Sequence, residues 1–508
     1  MSESESVNAV QNFRYDQAKI REIVSHMIIV QELPFVFADW NLQKRNLNFC
    51  DVPPPHTGIV VCDVLNKCLV EWGIENKVWT ITVDNATYND VAIRMLKENL
   101  SYKNNLPLGG KLFHVRCCAH ILNLLVQDGL SEIQNIISNV RESVKHISAS
   151  EFRLIIFGEI AKQLQLSSKK LVMDCCTRWN ATYCMLSTAL EFKDVFPRYQ
   201  QRDPTYNTLL SEKDWEKVRV VCSFLQEFNE VTHIISGSEY PTSNLFLPEL
   251  YNIKRLLNNT SMGEGSLMKD MVNKMKTKFD KYWGHCNLLI SMAAVLDPRN
   301  KMKLIEWCFP EIYSEVDAIE NIVTVRETLR LLYREYVDAH KNNVAEKDVS
   351  GDAQKESSSV SSIVSAKGKG KVRIAFANYI KNVDSVEQVK SELEVYFEEG
   401  VVLCEEDDEF DALSWWKMNN LKFRILSKMA CDVLSIPITC VASESAFSAG
   451  GRVIDSYCVN LGVDTVQMLL CAEDWLRARY LVKRKENVSK LIFNLIVSLL
   501  DMCYFLLI

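Results

Sequence analysis

From about residue 119 to residue 345, apolar residues recur every three to four positions with almost no break. "LSEIQNIISNVRESVKHI" (130–147), "DWEKVRVVCSFLQEFNEVTHII" (214–235) and "VTVRETLRLLYREYVDAH" (323–340) show the spacing most plainly. A helix buries one stripe of its surface, so a run of such stripes must fold as helix packed on helix. The preceding stretch has a different rhythm. "NLQKRNLNF" (41–49), "KVWTITVD" (77–84) and "KLFHVRC" (111–117) read as strands, and "IVVCDVLNKCLVEWGI" (59–74) and "DVAIRMLKENL" (90–100) as helices. Alternation of that kind predicts an α/β layer. The expected fold class is therefore α/β plus all-α. The chain of 508 residues is 48 % hydrophobic and 24 % charged, ordinary for a globular protein able to bury a large core.

The rest of the chain is punctuated by composition. Residues 341–372 carry "KESSSVSSIVSAKGKGK", too polar and small to bury, and read as a linker. "EEDDEFD" (405–411) reads as a solvated acidic segment. Beyond it, "LSKMACDVLSI" (426–436) sets Leu426, Met429, Val433 and Leu434 on one helix face, and "DTVQMLLCAEDWLRARY" (464–480) supplies another helix. The 17 cysteines include adjacent pairs, Cys117–Cys118 and Cys175–Cys176, and form no staple framework. With the polar "MSESES" opening, this predicts reduced thiols in the nucleus, or alternatively the cytoplasm. The net charge of −7 argues against a polycation that coats DNA, although a local basic face is compatible with it. The apolar tail 491–508 has the length of a membrane anchor but contains Asn494 and Asp501, so a buried helix or a non-native extension competes with that reading.

Candidate chemistry is sparse. Cys117-x-x-His120 has the spacing of half a zinc site, but Cys175–Cys176 is an adjacent pair and not a second C-x-x-C, so zinc is not expected. No G-x-S-x-G, Walker A loop or dinucleotide fingerprint is present. Asp84 ends a β-branched run just before a helix. A carboxylate there is either a turn or cap residue, or one of the three or so acids that hold two Mg²⁺ ions for phosphodiester chemistry.

Five blocks in order decide between these in favour of an inherited ligand. "WTITVDNATYNDVAIRMLK" (79–97), "HVRCCAHILNLLVQDGL" (114–130), "CCTRWNATYCML" (175–186), "AAVLDPRNKMKLIEWCF" (293–309) and "SWWKMNNLKFRILSKMACDVLSIPITCVASESAFSAGGRVID" (414–455) resemble the core blocks of plant hAT-superfamily transposases, closest to sleeper-type members that carry a BED zinc finger. The resemblance covers roughly residues 15–478. It implies an RNase H-like core interrupted by a helical insertion, with a C-terminal dimerisation region. By the same resemblance Asp84 matches the second catalytic Asp and Glu444 the catalytic Glu, the two residues that would ligate Mg²⁺ in an intact site. Cys117 and His120 match the C-x-x-H motif, Ser443 and Phe447 belong to the block around the Glu, and Arg178–Trp179 match an R-W motif associated with DNA. Trp415, Trp416, Leu426, Met429, Val433 and Leu434 fall in the dimerisation block, where a core within one chain is the competing explanation of the same pattern.

The departures from the family pattern shape the functional expectation. No D-x-W-T-S pattern, which bears the family's first catalytic Asp, occurs before Asp84, and "ELPFVF" runs straight into "ADWNLQKRNLNF" near residues 37–39. Residues 1–40 contain no cysteine, so no BED finger is expected in them. The resulting organisation is an N-terminal helical remnant (1–37), a partial RNase H-like core (38–135), a helical insertion (136–345), a linker (346–375), the dimerisation region that completes the core (376–480), and a basic then hydrophobic tail (481–508). The expected function is a transposase-derived protein, catalytically inactive, that forms a homodimer and binds DNA. An active nuclease whose first Asp is lost only from this version of the gene, and a tail-anchored interaction protein, are the alternatives.

Overall fold

A computed structural model describes residues 47–48, 50, 52, 54–103, 106–237, 240–263, 265–351, 390–404, 410–441 and 444. The expected helix over 26–37, the helix over 464–480 and the tail lie outside the described residues, as does the expected strand over 41–49 except for residues 47–48, which are not in a strand. The chain divides into two compact units, residues 1–104 with 439–508, and residues 105–438.

In the first unit, helix α1 (Gly58–Glu71) begins at Thr57, whose hydroxyl accepts the Val60 N–H, as an N-cap does. Strand β1 (Ile81–Val83) is shorter than the run of β-branched residues that predicts it. Helix α2 (Thr87–Lys103) follows three residues later. It lies against α1 so closely that a Cβ on Gly58 would stand 2.6 Å from the Val91 Cβ. Asn99 reaches across from α2 to donate to the buried Cys62 sulfur at 3.9 Å.

Among its described residues the second unit is mainly helical, with strand β2 (His114–Arg116). Helix α3 (Cys118–Leu130) packs on a later helix through Gly129, where a Cβ would meet Met275 at 2.7 Å. Helices α4 (Gln134–Ser148) and α5 (Glu151–Gln163) follow, then an irregular segment, then α6 (Trp179–Glu191) and α7 (Val195–Arg202). Helix α8 (Glu212–Ile235) starts with a reciprocal capping box between Ser211 and Asp214 and buries Trp215, Val218, Cys222, Leu225 and Phe228 along one stripe. Next come α9 (Phe246–Met262), α10 (Ser266–Trp283), α11 (Leu288–Val295) and α12 (Lys301–Ile312). The α11 sequence "LLISMAAV" is apolar all round, and seven of its residues are buried.

Helix α13 spans Glu315–Gly351, with side chains described as far as residue 342. It runs past residue 340, where the sequence predicts a linker to begin, because "NNVAEKD" contains neither Pro nor Gly to stop it. Short helices α14 (Glu392–Glu398), α15 (Ala412–Met418) and α16 (Leu426–Leu434) close the unit. Among the described residues, no helix is long and apolar enough to cross a membrane.

Candidate functional site

Asp84 follows β1 directly and is half-buried. Its Oδ1 accepts the Ala86 N–H at 3.0 Å and the Asn89 side-chain amide at 2.6 Å. This is an Asx turn that leads the chain into α2, and it explains why the helix starts where it does. Glu444 is also half-buried and belongs to the same unit. Its Oε1 accepts from the Cys440 thiol at 3.2 Å, and its N–H donates to the Cys440 carbonyl at 3.1 Å. Ser443 and Phe447 lie outside the described residues.

A two-ion phosphodiester centre shares at least three carboxylates between its metals. Among the described residues no group of three or more His, Cys, Asp or Glu side chains stands close enough to hold an ion. Asp84 and Glu444 alone do not supply the donor set that Mg²⁺ chemistry needs.

Cys117, His120, Arg178 and Trp179 belong to the second unit, the first two at the start of α3 and the last two at the start of α6. Cys117 is fully buried and occupies the N-cap position of α3, its carbonyl accepting the Ile121 N–H at 3.1 Å. Cys118 is buried beside it, and burial pushes its thiol well above the ordinary range. The Cys118 N–H donates to the Ile438 carbonyl at 2.8 Å, which fixes the start of α3. His120 stands in the first turn, half-buried. Cys175 and Cys176 are exposed, whereas Cys117 is buried.

Three residues beyond His120 on the same helix face, Asn123 grips the chain before α6. Its Nδ2 donates to the Thr177 carbonyl at 3.2 Å, and its Oδ1 accepts the Trp179 N–H at 3.0 Å. One turn further on, Gln127 Nε2 donates to the Cys176 carbonyl at 3.2 Å. The Arg178 N–H closes a turn on the Cys175 carbonyl at 2.8 Å. The upstream end is held by Asp174. Its two oxygens take the Arg141 Nε and Nη2 at 2.8 and 2.7 Å, and the Thr182 hydroxyl adds a third bond at 2.9 Å. The bond to Arg141 holds Asp174 below the usual carboxylate range. The Thr177 hydroxyl, 3.2 Å from the Cys175 sulfur, likewise draws that thiol down.

In this arrangement Arg178 is exposed, while Trp179 is 2 % exposed and touches Tyr183 with ring centroids 6.2 Å apart. Arg178 is therefore the member of the R-W pair open to solvent, and the Trp179 ring belongs to the core. Asn123, Gln127, Arg141 and Asp174 are not among the sequence-derived candidates. The H-x-x-N-x-x-x-Q spacing on one amphipathic helix is the signal that could have raised the first two.

The residues of the C-terminal block are also placed. Trp416, Leu426, Met429 and Val433 have no exposed surface and Leu434 almost none, while Trp415 is half-buried. The Trp416 indole donates to the Leu296 carbonyl at 2.8 Å and packs on Tyr396 and Phe423. Helix α16 lies against α11, α13 and α15. These side chains form a core within one chain, the competing explanation noted above, and do not present an open apolar surface.

Four family models match the chain in order: a ZBED1 RNase-like domain over residues 22–112, a ZBED1 RNase-like helical domain over 115–224, a hAT-like transposase RNase-H fold over 244–336, and the hAT family C-terminal dimerisation region over 392–476. The zinc finger BED domain-containing protein RICESLEEPER 4 of Oryza sativa subsp. japonica is 33 % identical over 459 residues, covering 87 % of this chain and 67 % of the relative. The chain belongs to the plant hAT-like transposase family. RICESLEEPER 2 of the same organism is 39 % identical over 449 residues, again covering 87 % of this chain but 62 % of the relative. The putative AC transposase of Zea mays is 34 % identical over 445 residues, with 87 % and 54 % covered. The chain thus spans less than two thirds of the length of RICESLEEPER 2 and of the AC transposase. Within the hAT framework Asp84 falls in the first matched region, Cys117, His120, Arg178 and Trp179 in the second, and Trp415 to Leu434 in the fourth.

Proposed function

We propose that this hAT transposase-derived protein acts in the nucleus as a homodimer that binds DNA without cutting it. The observation that carries the reading is the acid inventory around Asp84. The sequence before it holds no D-x-W-T-S pattern, and the Asp84 Oδ1 is committed to the Ala86 N–H and the Asn89 amide. Asp84 and Glu444 are the acids of the ancestral set that remain, and neither Mg²⁺ nor zinc is required by the reading. The match to the hAT dimerisation region supports self-association. Because Leu426, Met429, Val433 and Leu434 are buried within the chain, the contact between copies uses other faces of that region. Arg178, exposed on a pinned turn, is the DNA-contacting residue in this reading, and Trp179 supports it from the core.

The test combines light scattering with fluorescence anisotropy on a labelled DNA duplex. The expected result is a dimer mass and an affinity that falls steeply between about 50 and about 200 mM salt, as phosphate contacts require. A monomer mass, or no binding to duplex at the lower salt, refutes the reading.

A further inference from the structure

The structure assigns Asn123 a positioning role: its side-chain amide holds the backbone on both sides of Arg178 and so fixes where that side chain leaves the chain to meet a DNA phosphate. The inference rests on the DNA-binding reading above and names a residue through which that binding is organised.

The reason lies at the start of α6. The first four N–H groups of a helix have no partner inside it, and a Ser, Thr, Asp or Asn at the N-cap ordinarily satisfies one of them. Here the N-cap is Arg178, which offers no side-chain acceptor and makes no cap bond. The cap is supplied from another helix. Asn123 Oδ1 takes the Trp179 N–H while Asn123 Nδ2 gives to the Thr177 carbonyl, so one planar amide bonds the backbone on both sides of Arg178. A side-chain amide carries both a donor and an acceptor on one rigid plane, as this geometry requires. Gln127 adds the Cys176 carbonyl, and the Arg141–Asp174 pair anchors the residue before the turn.

The carbonyls of Cys175, Cys176 and Thr177 and the N–H groups of Arg178 and Trp179 are thereby tied down, and the exposed basic residue among them is Arg178. Pinning the backbone on both sides of Arg178 lowers the chain entropy lost when this exposed residue meets a phosphate. In a chain of net charge −7, such contact depends on where the cations sit and not on their sum.

The experiment uses the full chain and four variants: Asn123→Ala, Gln127→Ala, Arg178→Ala, and Asn123→Ala combined with Arg178→Ala. Two readouts are taken, hydrogen exchange at the Trp179 amide and anisotropy on a labelled duplex across salt. Asn123→Ala is expected to speed Trp179 exchange by about tenfold or more while the α8 amides keep their protection. Its duplex affinity should fall about 3- to 10-fold, the loss expected from a broken hydrogen-bond pair. Arg178→Ala should lower affinity and reduce the salt slope by about 1. The double variant should bind no worse than Arg178→Ala alone, since Asn123 acts through Arg178. Gln127→Ala should show the same pattern more weakly.

Unchanged Trp179 exchange in Asn123→Ala overturns the clamp whatever the DNA result. Faster exchange with losses that add fully in the double variant overturns its link to Arg178. Faster exchange in a protein that binds no duplex overturns the DNA-binding reading, and with it the functional part of the role, while the clamp itself stands.

Discussion

The Arg141–Asp174 pair joins a buried carboxylate to a partly exposed guanidinium, and its two halves should behave unequally. The Asp174 side chain is 1 % exposed and the Arg141 side chain 25 %. Replacing Arg141 with Met strands a buried carboxylate with the Thr182 hydroxyl as its remaining side-chain partner. Breaking a buried pair in that way costs about 3–5 kcal/mol. Asp174→Asn keeps an acceptor for Thr182 and leaves an Arg141 that can still reach water, so its cost is about 1–2 kcal/mol. For a unit of this size about 2 °C is lost per kcal/mol, giving a fall of about 6–10 °C for Arg141→Met against about 2–4 °C for Asp174→Asn. Differential scanning calorimetry across pH reads both. The bond to Arg141 lowers the folded-state pKa of Asp174 below the ordinary carboxylate value of 3.8. The stability it contributes is therefore present above that value and is lost as pH falls through the lower folded one, so the gap between wild type and Asp174→Asn should close below about pH 4. Equal destabilisation by the two variants, or a gap that survives at low pH, refutes the electrostatic account.

Other expectations follow from single contacts. Trp416→Ala removes a fully buried indole and its bond to the Leu296 carbonyl, and should cost about 3–5 kcal/mol, seen as an earlier thermal transition. Glu392 Oε2 accepts the N–H groups of Ile425 and Leu426 at 2.9 and 2.8 Å, a cap supplied to α16 from distant sequence. Glu392→Ala should cost about 1–3 kcal/mol in urea unfolding, and Glu392→Gln less, because the oxygen is kept and the charge lost. Gly58→Ala sets a Cβ within 2.7 Å of Val91 and 2.9 Å of the Tyr88 carbonyl, so it should loosen α1 from α2 by about 1–3 kcal/mol, read as faster amide exchange in both helices.

What could be read from sequence was local. The stripe Val218, Cys222, Leu225, Phe228 predicts α8 to within two residues, because its burial pattern and its Ser211–Asp214 cap lie in consecutive sequence. Helix α13 was legible only in its middle. Val316, Ile319 and Val323 are exposed and blur the apolar stripe at its start, while Ser314, which accepts the Asp317 N–H, marks the true beginning. The run 77–84 predicts a longer strand than Ile81–Val83, since β-branched content reports preference for a strand and not the presence of a partner. The candidate site divides the same way. Asp84, Arg178 and Trp179 stand out as residues, but the Asn123–Thr177 and Trp416–Leu296 bonds join positions far apart in sequence, and no local pattern encodes such a pairing. Burial of Leu426 and Val433 was equally opaque, because a helix stripe facing its own chain and one facing a second copy have the same spacing.

The function proposed above is that of a hAT scaffold retained without the capacity to cut. Its most direct test is a plasmid-nicking assay with purified full-length protein, run with Mg²⁺ and with Mn²⁺ beside Asp84→Asn and Glu444→Gln proteins. The account predicts that supercoiled DNA stays intact at the level of both variants, with the duplex still shifted on a native gel. Metal-dependent conversion to nicked or linear product that either substitution abolishes would contradict it.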